Sequence, residues 1–293
     1  MANISIIGAG AIGSLFGGVL SEKGHKVTLI GRDPHISKVK EDGLVIKESD
    51  SEINLDIEAV KEAPDRQMDL AIVSTKAYDT EKSIFEHSSV IGEDTKVLSI
   101  QNGIGNEEII KEASFVNKEN VIGGVTSNGA NLVEPGVVYW NGKGDTIVGD
   151  EEVRNMMDSS KIPVDYKRNI EGTIWNKALI NCGINPLGAL TNMKNGEIVK
   201  YSEKVLTKVI EEGKKVAKMK GVKVDSDPVE EAKEICRKTS ENENSMLQDL
   251  KKGNRTEIDY LNGIIAKEDA RTPYNEILFD LIRSIDNKNK NIN

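Results

Sequence analysis

Hydrophobic positions follow two different periods along the chain. In the first half, short apolar runs such as "NISII" and "HKVTLIG" alternate with stretches of helical period such as "AIGSLFGGVLSEKG", which should end at Gly24. Apolar runs of this length, separated by helices, are typical of a parallel, doubly wound sheet. The stretch "GLVIKESDSEINLDIEA" predicts a hairpin insertion, and "PGVVYWNGKGDTIVGD" predicts another antiparallel pair.

Beyond about Tyr166 the strand patterns stop and amphipathic helices with charged outer faces follow. The last residues, "NKNKNIN", predict a frayed tail. We therefore expect an α/β protein with a Rossmann-type dinucleotide-binding domain over residues 1–167 and an all-helical domain over residues 168–293. The predicted helices of the second domain include "YSEKVLTKVIEEGKKVAKMKG", "DPVEEAKEICRKTSE", "TEIDYLNGIIAKEDA" and "YNEILFDLIRSIDN".

Charge and composition narrow the classes of partner. The 293 residues carry a net charge of −9, which argues against nucleic acid as a partner because phosphates would be repelled. No apolar run of about 18 residues occurs, and the N-terminus has no basic leader or cleavage site, so neither a membrane span nor a secretory signal is expected. Cys182 and Cys236 are far apart and are interpreted as thiols in a reducing cytoplasm.

A glycine pattern follows the first predicted strand. Gly8, Gly10 and Gly13 form G-x-G-x-x-G directly after "NISII" and open the next helix. In this context the glycines permit a tight turn, close approach of a pyrophosphate and close packing of helix on strand. Phosphates would lie at the helix N-terminus, where N–H groups and the helix dipole attract anions; the alternative is a plain strand–helix turn. The predicted dinucleotide contacts are Gly8, Ala9, Gly10, Ala11, Ile12 and Gly13.

The end of the second strand bears on the choice of cofactor. NAD sites usually place an acid there to hold the ribose 2′-hydroxyl, whereas this chain has Arg32, followed by Asp33. An arginine can bind a 2′-phosphate through two hydrogen bonds, and Lys76 in "VSTKAY" could add a second positive charge. NADP, as NADPH, is therefore the favoured cofactor, while Asp33 keeps NAD open. For either basic residue alone, a solvated surface charge is the alternative interpretation.

A row of polar residues interrupts the predicted helix "WNKALINCGIN". Lys177, Asn181 and Asn185 recur every four residues, which places them on one stripe of a mostly apolar helix. Buried ammonium and carboxamide groups are costly without partners, so the stripe must face something polar. One interpretation is a polar seam between helices. The other is a substrate site, where an ammonium polarises a ketone and donates a proton.

Several short motifs occur in order along the chain: "GAGAIG", "STKAY", "QNG", "GVTSNGA", "WNKALINCGINPLGAL", "NSMLQDL" and "GNRTEID". Taken together, they resemble the ketopantoate reductase (2-dehydropantoate 2-reductase) family over nearly the whole chain. The resemblance implies a 6-phosphogluconate-dehydrogenase-like fold and NADPH-dependent reduction of 2-dehydropantoate to (R)-pantoate, on the route to pantothenate and coenzyme A.

The same resemblance implies roles for individual residues. Lys177 would be the proton donor, and Asn102 would lie between nicotinamide and substrate. Glu257 would contact cofactor or substrate and can pair with Lys177, and Ala130 would touch the cofactor through its backbone. The residues implied in substrate binding are Asn102, Asn181, Asn185, Asn195 and Ser245.

Two other functions are compatible with a dinucleotide site. A related reductase of another branched 2-oxo acid would share the hydride chemistry and differ in its pocket. A catalytically silent NADP-binding sensor would not need Lys177 and its asparagine row together with Ser245 and Glu257, so their joint presence argues against it.

The sequence contains few features that bear on metal binding or on oligomeric state. No spacing typical of a metal site is seen, so no metal is expected, and His25, His35 and His87 are interpreted as surface or rim residues. The apolar faces of the C-terminal helices could form the seam of a homodimer.

Overall fold

The apolar runs of the first half form the main sheet, as their length and spacing predict. Across this sheet the strands are, in spatial order, β12 (Val164–Tyr166), β11 (Thr146–Val148), β8 (Val121–Thr126), β7 (Lys96–Ser99), β6 (Leu70–Val73), β1 (Asn3–Ile7), β2 (Lys26–Ile30) and β5 (Glu58–Val60). Neighbouring strands are parallel, except for the antiparallel pair β8 and β11. The structure, a computed structural model, describes residues 1–290.

A second, smaller sheet contains the strands β4 (Glu52–Leu55), β3 (Leu44–Lys47), β10 (Val137–Gly142) and β9 (Gly129–Glu134), in that order. The first two form the predicted hairpin. The antiparallel pair predicted within "PGVVYWNGKGDTIVGD" is wrong, because β10 pairs with β9 whereas β11 pairs with β8 in the main sheet. The Asp145 carbonyl accepts a hydrogen bond from the Ser127 N–H (2.8 Å), so the chain runs alongside that residue into the main sheet rather than turning back.

Helices cover the main sheet on both faces. Successive strand residues point to opposite sides, and accordingly Ile6 packs in one apolar cluster and Ile7 in another. The first helix ends just before Gly24, as predicted; this glycine has a φ of +96°. The helices around the sheet are α1 (Ala11–Glu22), α2 (His35–Asp42), α3 (Thr80–Glu86), α4 (Asn106–Glu112) and α5 (Glu151–Met157).

The second half is helical, and the chain divides into an α/β unit and a helical unit. The helices of the second half are α6 (Ile170–Thr191), α7 (Asn195–Met219), α8 (Pro228–Lys238), α9 (Ser245–Lys251), α10 (Asn262–Ala266) and α11 (Pro273–Lys290). The α/β unit consists of Met1–Gln101 and Gly105–Ile170, and the helical unit of Asn102–Ile104 and the chain from Glu171 onward. Asn102 and Gly103 of the "QNG" motif, and the following Ile104, therefore belong to the helical unit.

One predicted helix is interrupted. The stretch "TEIDYLNGIIAKEDA" forms a 3₁₀ turn over Ile258–Tyr260 and then the short α10, with non-helical backbone angles at Leu261 (φ −115°, ψ −105°). The Tyr260 carbonyl accepts a hydrogen bond from the Ile104 N–H at 3.0 Å, which removes it from a continuous helical ladder. The amphipathic pattern does not reveal this bond, because its donor lies far away in the sequence.

The predicted frayed tail is partly helical. Its first residues, 287–290, belong to α11, while residues 291–293 lie outside the described part of the chain. Helices long and apolar enough to span a lipid bilayer are absent from residues 1–290.

Candidate active site

The turn between β1 and α1 is built around two glycines that cannot be replaced without collision. Gly8 has a φ of +99°, and a Cβ there would lie 2.6 Å from the Thr75 backbone nitrogen. A Cβ at Gly13 would collide with the Gly8 carbonyl oxygen and lie 2.5 Å from Ser74 Oγ. The turn is also tied to the second strand, because the N–H groups of Gly8 and Ala9 both donate to the Ile30 carbonyl.

The third glycine faces open space. Gly10 is the N-cap of α1, and a Cβ added to it would have no atom within 4 Å among the described residues. The first-turn N–H groups of a helix, here those of Ala11, Ile12 and Gly13, have no intrahelical acceptors. The turn lies where the strand order reverses, since β1 is flanked by β2 and β6, the usual position of a nucleotide in such sheets. The local structure therefore fits a dinucleotide pyrophosphate.

The two basic residues predicted for the cofactor are connected through Asp79. Arg32 follows β2, and its guanidinium donates to Asp79 Oδ2 at 3.2 Å. The Asp79 N–H in turn donates to the Lys76 carbonyl at 2.8 Å. The Arg32 side chain is 73% exposed, and ion pairs this exposed are weak, so a stronger anion can displace the carboxylate. Asp79 was not identified from the sequence, since a lone acid in "KAYD" gives no signal.

Asp33 is the acid that left NAD possible as the cofactor, and both oxygens of its carboxylate accept hydrogen bonds. One oxygen accepts from Ser37 Oγ (2.5 Å) and the other from Lys61 Nζ (3.0 Å). These hydrogen bonds lower the pKa of Asp33 from its usual value. The ammonium of Lys61 offsets the negative charge beside Arg32.

Ala130 and His35 take places that the sequence did not reveal. Ala130 is half-buried in β9, where it pairs with Trp140 across the second sheet. The interpretation of His35 as a surface or rim residue is wrong, because it is only 4% exposed. Its Nδ1 accepts from the Gly136 N–H (2.9 Å), and its Nε2 lies 2.9 Å from Ser14 Oγ, two contacts that hold the ring inside.

In the helical unit, the polar stripe lies on α6 as predicted, and its first member has a defined partner. Lys177 Nζ donates to Asn102 Oδ1 at 2.8 Å, across 75 residues of sequence. Asn102 belongs to the same unit, and the preceding Gln101 is fixed by hydrogen bonds from its Nε2 to Thr75 and Thr80. The asparagine of "QNG" and the lysine of "WNK" are thus brought into contact.

The Lys177 ammonium loses its proton more readily than an ordinary lysine does. Burial lowers the pKa of the Lys177 ammonium from 10.5 to about 8, while the Glu257 carboxylate opposes part of the shift. Glu257 is itself only 7% exposed, at the start of the 3₁₀ turn that interrupts the predicted helix. An ammonium in this setting can release a proton near neutral pH.

The remaining predicted substrate residues differ in burial. Asn185 is 6% exposed and Asn181 is half-buried, both on α6 after Lys177. Asn195 begins α7 and is 7% exposed; its Nδ2 donates to Thr239 Oγ1 (2.8 Å), while its buried Oδ1 has no partner among residues 1–290. Ser245, the first residue of α9, is exposed.

Comparisons with known proteins agree with this architecture. The family described as "Ketopantoate reductase PanE/ApbA" matches residues 4–152, and its C-terminal counterpart matches residues 169–286. A 2-dehydropantoate 2-reductase from Pyrococcus abyssi is 40% identical, over 96% of each chain.

Solved structures show the same similarity. A PanE/ApbA family ketopantoate reductase from Ralstonia eutropha is 28% identical, with a TM-score of 0.92 over 98% of this chain and 99% of that one. D-mandelate dehydrogenase, in a ternary structure with NADH and anilino(oxo)acetate, is 32% identical, with a TM-score of 0.90 over the same shares. With both halves matched in order and a relative at 40% identity across its length, the chain belongs to the PanE/ApbA ketopantoate reductase family.

Proposed function

We propose that this protein reduces 2-dehydropantoate to (R)-pantoate with NADPH, the reaction that serves pantothenate and coenzyme A synthesis. The observation that carries the proposal is Lys177, an ammonium with a pKa of about 8 hydrogen-bonded to Asn102 on a stripe with Asn181 and Asn185. Family relatives that are named for this activity, and that match almost the whole chain, support it.

The cofactor would be held by the α/β unit. The first-turn N–H groups of α1 and the open side of Gly10 suit the pyrophosphate. Arg32 and Lys76 suit a 2′-phosphate, with Asp79 released from its exposed ion pair. A nicotinamide bound there in its reduced form would supply a hydride.

Lys177 would supply the proton. When a ketone is reduced, its oxygen gains negative charge and needs a hydrogen-bond donor and then a proton. The Lys177 ammonium can provide both. With a pKa near 8 it is protonated at neutral pH and releases its proton more readily than an ordinary lysine. Asn102 orients the ammonium through its Oδ1, and Glu257 favours its charged form.

The carboxamides would bind the substrate. Amide N–H groups can donate to the carboxylate of a 2-oxo acid, and amide oxygens can accept from its hydroxyl. Asn195 Oδ1, buried and without a partner in the described chain, is available for such a bond. The proposed substrate contacts are Asn102, Asn181, Asn185, Asn195 and Ser245, and the proposed further cofactor contacts are Ala130 and Glu257.

A second candidate is supported by one of the structural neighbours. The similarity to D-mandelate dehydrogenase bound to NADH favours a related reductase of another branched 2-oxo acid, working with either nicotinamide cofactor. This protein would use the same lysine and asparagines and differ in the substrate side chain it accepts.

One assay separates these functions. Purified protein is mixed with NADPH or NADH and a panel of 2-oxo acids, and the loss of reduced-cofactor absorbance is followed. The proposal predicts fast turnover of 2-dehydropantoate with NADPH. Turnover of another 2-oxo acid alone would establish the second candidate, and no turnover of any would contradict both and favour a sensor.

We also propose a homodimer. Tyr274, Ile277 and Leu281 recur along the exposed side of α11, with 41%, 59% and 48% of their surfaces accessible. Light scattering at micromolar concentration should give twice the mass of one chain.

A further inference from the structure

Helix α6 contains a proline directly after the last asparagine of its polar stripe. Pro186 has no N–H, so the carbonyl four residues earlier, that of Cys182, loses its helical donor. A proline ring also presses against that carbonyl and displaces it. Cys182 is completely buried, so an unpaired carbonyl there would be costly.

A side chain from α10 replaces the missing donor. Asn262 is fully buried, and its Nδ2 donates to the Cys182 carbonyl at 3.1 Å. Its second N–H donates to Asn275 Oδ1 at 2.9 Å. The Asn275 amide nitrogen faces acceptors, so the Asn275 amide oxygen is the atom that faces Asn262. Both partners of Asn262 are therefore acceptors, and its amide nitrogen donates one hydrogen bond to each.

The donor is itself held by a buried carboxylate. Asn275, fully buried in the first turn of α11, donates through Nδ2 to the Val209 carbonyl (3.0 Å) and to Glu212 Oε2 (2.9 Å). Glu212, on α7 and 6% exposed, also accepts from the N–H groups of Tyr274 and Asn275, where the dipole of α11 favours an anion. A chain of hydrogen bonds thus runs from Glu212 through two asparagines to α6.

The end of this chain lies on the part of α6 that carries the polar stripe. Cys182 follows Asn181 and precedes Asn185 in the helix, about 100° around the axis from Asn181, so its carbonyl lies beside the stripe rather than on it. We infer that Asn262 is a positioning residue for this stripe: it fixes the path of α6 at the proline and so the place of Asn185 relative to Lys177. The inference rests on the proposed function, in which the stripe binds the 2-oxo acid.

The first variant removes the donor and keeps the size of the side chain. Asn262→Leu should raise the KM for 2-dehydropantoate by about tenfold to a hundredfold, because displacing a binding group by about 1 Å has effects of this order. The Kd for NADPH should stay at its wild-type value. Ile282→Val, a core change on α11 that leaves the hydrogen-bond chain intact, should lower Tm and leave KM unchanged.

A double variant separates position from stability. In Pro186→Ala/Asn262→Leu, residue 186 regains an N–H for the Cys182 carbonyl, so Tm should rise back towards the wild-type value. Its KM should stay high, since the path of α6 is no longer set by Asn262. Recovery of Tm and KM together, or a wild-type KM in Asn262→Leu alone, would overturn the inference.

A spectroscopic arm does not depend on activity. The chain has two cysteines, so labelling cysteine with ¹³C at the carbonyl gives two resonances, with Cys236 as the internal reference. Asn262→Leu should move one of them and leave the other, whereas no movement of either would overturn the inference. A wild-type protein inactive on every 2-oxo acid would instead contradict the proposed function, which is a separate result.

Discussion

The glycine turn after β1 and the polar stripe of α6 handle charge in opposite ways. The turn offers backbone N–H groups at a helix end, with open space at Gly10 and side chains kept away from it. The stripe offers side chains, and its first member is a buried ammonium whose pKa falls to about 8. One site attracts an anion with fixed dipoles, and the other holds a proton that it can release.

This difference predicts different responses to substitution. In the turn, shape matters most, because adding one methyl group changes what can approach the backbone. In the stripe, chemical identity matters most, because only a titratable donor can give up a proton. Substitutions in the two places should therefore separate cofactor affinity from the rate of the chemical step.

The largest effect is expected at the lysine. Lys177→Ala should lower kcat by about 10²–10⁴-fold, the usual contribution of a positioned general acid. NADPH affinity, measured by fluorescence titration, should change little, because the glycine turn is untouched. The exposed Lys208→Ala on α7 is the matched control and should behave as wild type. Equal kcat in both variants would remove the distinction between the two sites.

Glycine substitutions test the turn. Gly10→Ala should fold with wild-type Tm, since the added Cβ meets no described atom, yet weaken NADPH binding by about tenfold or more, because charge-assisted hydrogen bonds contribute about 1.5–3 kcal/mol. Gly8→Ala should lower Tm as well, because of its positive φ and the collision with Thr75. Calorimetry and titration of both variants check this. Unchanged NADPH binding in Gly10→Ala would contradict a phosphate site at this turn.

The sequence was sufficient for the turn because its requirements are local. The positions of Gly8 and Gly13 relative to a strand and a helix are visible in the sequence, and the fold of the first half follows from alternating apolar runs. Strand partners were harder to predict. The separation of β10 from β11 depends on contacts with distant segments, such as Asp145 with Ser127.

The stripe was visible as a pattern, but its partners were not. Spacing placed Lys177, Asn181 and Asn185 on one face, while the hydrogen bond from Lys177 to Asn102 spans 75 residues and depends on tertiary structure. Likewise, Pro186 within a helix signals an orphan carbonyl, but nothing local identifies Asn262 as its donor.

A moderate effect is expected for cofactor selection. Arg32→Gln should weaken NADPH binding by about 1–3 kcal/mol and leave NADH binding unchanged, because a charge-assisted bond to the 2′-phosphate is lost. Asp79→Asn, which frees Arg32 from its ion pair, should tighten NADPH binding or leave it unchanged. The ratio of the two dissociation constants is the measurement. Wild-type protein that binds NADH as tightly as NADPH would overturn the assignment.

The smallest effect concerns stability. Lys177 has a folded-state pKa of about 8, below its ordinary 10.5, so between these pH values the unfolded chain holds a proton that the folded chain has lost. The free energy of unfolding should therefore gain up to about 1.4 kcal/mol per pH unit from this group as pH rises through that window. Urea unfolding of wild type and Lys177→Met at several pH values should show this contribution in the wild type alone. If the free energy of unfolding depended on pH in the same way for both proteins, the lysine would not be desolvated in the folded state.

The pH dependence of kcat/KM for 2-dehydropantoate tests the central claim most directly, because this ratio reports the ionisation of the free enzyme. If Lys177 is the proton donor, activity should fall as pH rises above about 8, and Glu257→Gln should move the fall to lower pH because the carboxylate that favours the ammonium is gone. The residual activity of Lys177→Ala should show no such fall. A decline at the same pH in Lys177→Ala as in the wild type would contradict the assignment of this lysine as the donor.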